Sequence, residues 1–168
     1  MSILLSLQGA IGQGILWGIM ALGIYLTFRI LDIADLSVDG SFATGGAVCA
    51  VALIAGIHPI IAILLATLSG FLAGFITGFL HTKCKMPAIL AGILTQLALY
   101  SINLRIMGKS NIPLLQSSTL FKDFAKLIPL TSQWITICIG IFFSLIVVIG
   151  IYWFLGTEFG SCLRATGN

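Results

Sequence analysis

Charge is what this chain has least of. Eight basic and five acidic residues are spread over 168 positions, so charged residues make up 8% of the sequence. A soluble domain carries roughly 25%. Hydrophobic residues make up 59%, and mean hydropathy is +1.16. So few charges cannot cover a soluble surface, and the composition implies a chain that crosses a membrane several times. The net charge of +3 is small and scattered, with no basic stripe of the kind a nucleic-acid partner needs.

Other chemistry is scarce as well. The four cysteines (Cys49, Cys84, Cys138, Cys162) lie far apart, with neither disulfide-framework nor metal-ligand spacing. They read as small packing residues. The two histidines, His58 and His81, are isolated at loop positions. No nucleophile–base pair and no phosphate-cradling glycine loop occurs, so the sequence points to no catalytic site, metal or cofactor. The first residues, Met1-Ser2-Ile3-Leu4-Leu5-Ser6, lack a basic n-region, and no small-residue cleavage pattern follows. They are read as the start of a retained membrane segment.

Long apolar runs are what remain. A span takes about 20 residues, and five are expected, at about 6–28, 41–57, 60–80, 87–107 and 134–155. The second is short and rich in glycine and alanine. The fifth is the cleanest, with Trp134 at one end and Tyr152-Trp153 at the other, as interfaces favour. Five spans put the termini on opposite sides. Basic residues divide evenly between the sides: Arg29, Lys83, Lys85 and Arg164 against Arg105, Lys109, Lys122 and Lys126. The tight turn His81–Lys85 is the densest basic site, and placing it in the cytoplasm leaves the N-terminus outside and the C-terminus inside. Within Gly108–Gln133, Leu120, Phe121, Phe124, Leu127 and Ile128 recur at helical spacing, as in a short interfacial helix or a lid.

Against this background one cluster stands out. Three of the five acidic residues, Asp32, Asp35 and Asp39, fall within eight positions between apolar runs. An ionisable group within a bilayer costs about 2.5–3.5 kcal/mol on insertion scales and usually marks a pathway, gate or contact. On a continuous helix the three would share one stripe and repel. A broken segment in which Asp39-Gly40 turns the chain, with Asp35 or Ser37 capping the next helix, avoids that repulsion. Broken helices are tolerated at membrane depth where they line a cavity or are buried in protein. Arg29 is the expected ion-pair partner of Asp32 or Asp35. A solvated cytoplasmic turn is the alternative.

Two further patterns carry weight. Gly70, Gly74 and Gly78 form overlapping small-xxx-small repeats that suit close helix packing. In the fourth span, Thr95, Gln96, Ser101 and Asn103 are polar groups in apolar surroundings, either solute ligands or interhelical glue. Finally, residues 157–168 read as a short amphipathic helix with Phe159, Cys162, Leu163 and Thr166 on one face. Thr157 caps it, Glu158 and Arg164 complement its dipole, and Gly167 ends it. Such an element presents a face to a partner, or is a frayed tail.

Three motifs together resemble the permease subunits of bacterial ABC importers of the branched-chain amino acid and ribose type. They are Ala21–Thr27 with Leu31–Val38 and Gly45-Gly46-Ala47; Lys85–Ala91 with Gly108; and Thr157–Gly160 with Leu163–Asn168. The wording around Leu31–Phe42 is most similar to a subfamily linked with aromatic amino acid uptake. The resemblance implies an all-α polytopic membrane bundle forming one permease domain over residues 1–168, with a broken second segment and a C-terminal cytoplasmic coupling helix. It implies a bacterial inner-membrane location, a second permease subunit, a cytosolic ATP-binding subunit and an extracytoplasmic solute-binding protein. On it Asp32, Asp35, Ser37, Asp39 and Gly40 would line the pathway opposite Thr95 and Gln96. Glu158, Phe159, Gly160, Leu163, Arg164 and Gly167 would meet the ATPase. Permeases of this family continue past the coupling loop, so the sequence is expected to be a fragment or truncated reading frame. Two other classes stay open: an ion- or proton-coupled carrier using the aspartates, and a membrane scaffold that transports nothing.

Overall fold

All regular structure among the described residues of the computed structural model is helical. Residues 2–114 and 132–166 are described; the helix expected on Leu120–Ile128 and the stop at Gly167 lie outside them. Four helices, Ser6–Ile30, Pro59–Thr82, Ala88–Met107 and Ile137–Gly156, are long and apolar enough to cross a membrane. The chain divides into two compact units, one built from its two ends and one from residues 33–120.

In the first unit, α1 (Ser2–Tyr25) continues as a π-helical turn, Leu26–Ile30. At this transition the Thr27 hydroxyl donates to the Ile24 carbonyl (3.0 Å), competing with the backbone for its acceptor. The wider ladder closes when Leu31 N–H donates to the Leu26 carbonyl (3.2 Å), and the helix stops there. α1 packs on α5 (Ser132–Gly156), where Gly140 lets the Ile15 side chain approach. One residue, Thr157, separates α5 from α6 (Glu158–Thr166).

The second unit holds α2 (Val38–Ile54), α3 (Pro59–Thr82) and α4 (Ala88–Met107). α2 has 17 residues, about 26 Å of helix at 1.5 Å per residue. It begins and ends three residues before the expected second span. Its end is set by Gly56, left-handed at φ 79°, with Gly56 N–H bonded to the Leu53 carbonyl and Ile57 N–H to that of Ala52. His58 then caps α3 by accepting the Ile60 N–H on Nδ1 (3.4 Å), and Pro59 occupies the first turn. Between α3 and α4, Lys85 takes φ 54°, and His81 Nδ1–H donates to the Met86 carbonyl (2.8 Å). Gly108, at φ 64°, ends α4.

α2 and α3 meet antiparallel through small residues. A Cβ on Gly45 would lie 3.3 Å from the Ala66 carbonyl oxygen, and one on Gly70 would lie 3.7 Å from that of Ser41. Cys49 packs against the cluster of Ala52, Leu53 and Ala62. The seam therefore pairs Ser41, Gly45 and Cys49 with Gly70, Ala66 and Ala62. Lipid is as apolar as the side chains, so association rests on close backbone approach. Of the expected Gly70–Gly74–Gly78 stripe, Gly70 joins this seam, whereas a Cβ added at Gly74 or Gly78 would meet no other described residue within 4 Å beyond its own helix backbone. Each four-residue step turns about 40° around a helix, which carries Gly74 and Gly78 off the contact face. Ala73 and Thr77 are buried in their place.

Gly45→Leu should therefore overpack the seam, at a cost of about 1–3 kcal/mol. Thermal unfolding in detergent checks this: Gly45→Leu should lower the midpoint, while Gly74→Leu leaves it unchanged.

Candidate functional site

The break between the first two helices is built by backbone geometry. Asp32 takes φ 53°, a left-handed conformation that aspartate tolerates better than most residues. Asp35 N–H bonds to the Ile33 carbonyl (2.9 Å), and Asp35 Oδ1 accepts the Ser37 N–H (2.8 Å). That side-chain turn aims the chain into α2, whose first turn closes when Ser41 N–H reaches the Ser37 carbonyl (2.9 Å). The break thus spans residues 31–37. The expected turn at Asp39-Gly40 is not there, because both residues already lie in the first turn of α2. Nor does Arg29 pair with Asp32; the Asp35 carboxylate is engaged with its own backbone.

Within the second unit the break and the start of α2 rest on α4. A Cβ on Gly92 would fall 2.7 Å from Leu36 N and 3.2 Å from Asp35 Oδ1, closer than the backbone tolerates. A Cβ on Gly40 would lie 3.2 Å from Gln96 Cα and 3.3 Å from Leu99 Cδ1. Four residues apart along each segment and in the same order, these two contacts seat the break and the start of α2 along α4 in the same direction. Ser37 is almost wholly buried here, at 1% exposure. Gln96 Nε2 donates to Asp39 Oδ2 at 3.5 Å, the one direct bond between two of the expected pathway side chains.

Asp35, Ser37, Asp39, Gly40, Thr95 and Gln96 all belong to this unit, whereas Asp32 closes the other. They do not act alike. The Thr95 hydroxyl is buried and donates to the Ala91 carbonyl of its own helix (2.9 Å), as Thr44 does to Gly40 (2.8 Å). Asp39 is exposed, and Asp35 is half-buried. Gly92 matters although it lay outside the expected set, and Asn103, expected as a solute ligand or interhelical glue, keeps a buried Oδ1 without a hydrogen-bond partner. An isolated glycine inside an apolar helix was a signal for the first. Asn103 carried only its polarity.

The corner between α5 and α6 is closely built. Thr157 Oγ1 donates to the Phe154 carbonyl (2.6 Å) and accepts the Gly160 N–H (3.4 Å). Gly160 is buried: a Cβ there would overlap the Leu155 backbone and lie 2.5 Å from the Phe154 oxygen. Arg164 donates to the Leu155 carbonyl (2.7 Å). Glu158 and Cys162 are exposed, Leu163 is half-buried, and Phe159 is 76% exposed.

Residues 6–168 match the model of a family described as branched-chain amino acid transport system / permease component. The chain is similar to a tyrosine transport system permease protein of Clostridioides difficile (strain R20291), 44% identical over 156 residues, covering 93% of this chain and 50% of that protein. It is also similar to an uncharacterised protein of Rickettsia prowazekii (strain Madrid E), 34% identical over 111 residues, covering 66% of this chain and 39% of that protein. The chain thus spans half or less of the length of these relatives. No solved structure matches it.

Gly92→Ala should displace the 31–37 break or spread α2 from α4, costing about 1–3 kcal/mol. Faster proteolysis or thiol labelling at position 36 would report the displacement. Gly46→Ala, with nothing within 4 Å of the added carbon, serves as the neutral control.

Proposed function

The chain belongs to the family of branched-chain amino acid transport permease components, and on that premise we propose that it forms part of the translocation pathway of an ATP-driven importer for an amino acid. An aromatic amino acid is the favoured solute, in keeping with the name of the Clostridioides relative. The unit of α2, α3 and α4 would supply the pathway wall, with the exposed Asp39 carboxylate and its Gln96 partner as polar contacts. Asp35, Ser37 and Gly40 would hold that wall in shape from behind. Asp32, exposed and left-handed just past the end of the π-helical stretch, would sit at the entrance to the break. This chain would hydrolyse nothing itself. A cytosolic ATP-binding subunit would dock on α6, a second permease subunit would complete the pathway, and an extracytoplasmic binding protein would deliver solute. The location would be the bacterial cytoplasmic membrane, with the N-terminus outside and α6 in the cytoplasm.

The observation that carries the reading is the family match running through α6, together with the character of α6 itself. A nine-residue helix that is too short to span leaves Phe159 largely bare. A large aromatic in that position suits the central anchor of a protein contact.

Phe159→Glu should abolish co-purification of the ATPase without lowering the unfolding midpoint, since the ring is mostly exposed. Uptake of labelled tyrosine should stop on ATP depletion and persist when the ion gradients are collapsed with ATP maintained. The opposite pattern would favour an ion-coupled carrier. Asp35→Asn separates the two independently. Asparagine keeps the Oδ1 acceptor and hence the turn, so uptake should survive, whereas Asp35→Ala should lose about 1 kcal/mol of local stability and much of the uptake. A carrier using Asp35 as a cation or proton ligand would fail with both.

A further inference from the structure

One side of α6 is engaged with the end of α5, and the side that carries Phe159 is not. Phe159, Cys162, Leu163 and Thr166 follow one another at three- and four-residue spacing and form one side. Gly160 and Arg164, four residues apart, form another side, and both are engaged with the end of α5. The last carbonyls of a helix have no partner within it. Here two consecutive ones are taken by the corner. The Phe154 oxygen accepts from Thr157 Oγ1 (2.6 Å) and from Thr157 N–H (3.1 Å), and the Leu155 oxygen accepts from the Arg164 guanidinium (2.7 Å). The guanidinium also lies at the negative end of the α5 dipole, where a cation is favoured. Between these bonds, Gly160 seats the α6 backbone directly on Leu155.

We propose that Gly160 and Arg164 are positioning residues that latch α6 to the last turn of α5, so that the two helices turn as one lever, and that Arg164 is not part of the surface offered to the ATPase. This rests on the reading of α6 as the coupling element. The bond from Arg164 is solvated and adds little to stability, so its effect is on direction. With the latch closed, a displacement applied at Phe159 is delivered to α5 as a whole. With it open, the corner at Thr157 becomes a hinge and the displacement dissipates in α6.

The test combines a distance measurement on the full chain in nanodiscs with a coupling measurement in sealed proteoliposomes. Spin labels are placed at Tyr152→Cys and at the native Cys162, with the other three cysteines replaced. The distance distribution should be narrow in the parent and broadened by Arg164→Ala, and it should narrow again with Arg164→Lys, whose ammonium also reaches a carbonyl. Gly160→Ala should shift its centre; should that variant fail to fold, the arginine pair decides alone. With the ATPase present, Arg164→Ala should keep co-purification and lower ATP-driven tyrosine uptake by roughly five- to 150-fold, the range of a coupling free energy between two sites. A distribution left narrow by Arg164→Ala overturns the latch, and so does loss of the ATPase with the distribution unchanged, which would make Arg164 a docking residue. Phe159→Glu marks the separate failure: if the ATPase still co-purifies with that variant, the reading of α6 as coupling element falls while the distance result stands.

Discussion

Close approach of one backbone to another, through positions that carry little or no side chain, is the constraint on which this structure depends. In a bilayer, lipid tails compete equally for apolar side chains, so burial alone does not drive helices together. Dispersion at near-backbone distance has to replace it. Among the described residues the tightest cases of this device are Gly45 on Ala66, Gly40 on Gln96, Gly92 on Leu36, and Gly160 on Leu155. Three of these seat α2 and the preceding break, and the fourth sets α6 on α5. The large side chains, by contrast, are mostly exposed, as a lipid-facing surface requires.

The break illustrates how the constraint and the polar chemistry fit together. A non-helical segment leaves backbone donors and acceptors unpaired, which hydrocarbon does not tolerate. Residues 31–37 meet part of this demand locally: Leu31 closes the π-helical turn, Asp35 pairs with Ile33 and Ser37, and Ser37 opens α2. Asp35 is therefore first a structural acceptor. Asp39, one turn further on and exposed, has only the long contact to Gln96 and keeps most of its carboxylate available. Neighbouring acidic residues thus serve different ends because one is turned to its own backbone and the other is not.

Much of this was legible in the sequence, and what was missed shares one cause. Helix type followed from long apolar runs, although among the described residues four helices rather than five are long enough to cross and the second is a shorter one; the punctuation at His58-Pro59, Pro87 and Gly108 located the start of α3 and both ends of α4 closely. Clustered aspartates beside apolar runs were enough to expect a break. Its placement was off by several residues, because Asp39-Gly40 looks like turn chemistry while Asp32 at positive φ does not. Of the glycine repeat of α3, only Gly70 faces α2, for a related reason. Pattern shows which residues permit close packing but not which way the helix is rotated, and rotation selected Ala62, Ala66, Gly70, Ala73 and Thr77. Pairing between elements, such as Gly92 with Leu36 or Arg164 with the end of α5, is tertiary and leaves no mark in local spacing.

Surface connections usually accept extra residues with little penalty. The one between Gly156 and Glu158 is different, since it is Thr157 alone and its hydroxyl and amide both enter the corner. Inserting or deleting a single residue there would swing α6 about its axis by about 100°, carrying Phe159 to a new azimuth and Gly160 off its seat. Among the members of such a family, length at this junction should drift far less than composition does, and the natural variation of these proteins should be sought in side chains rather than in indels.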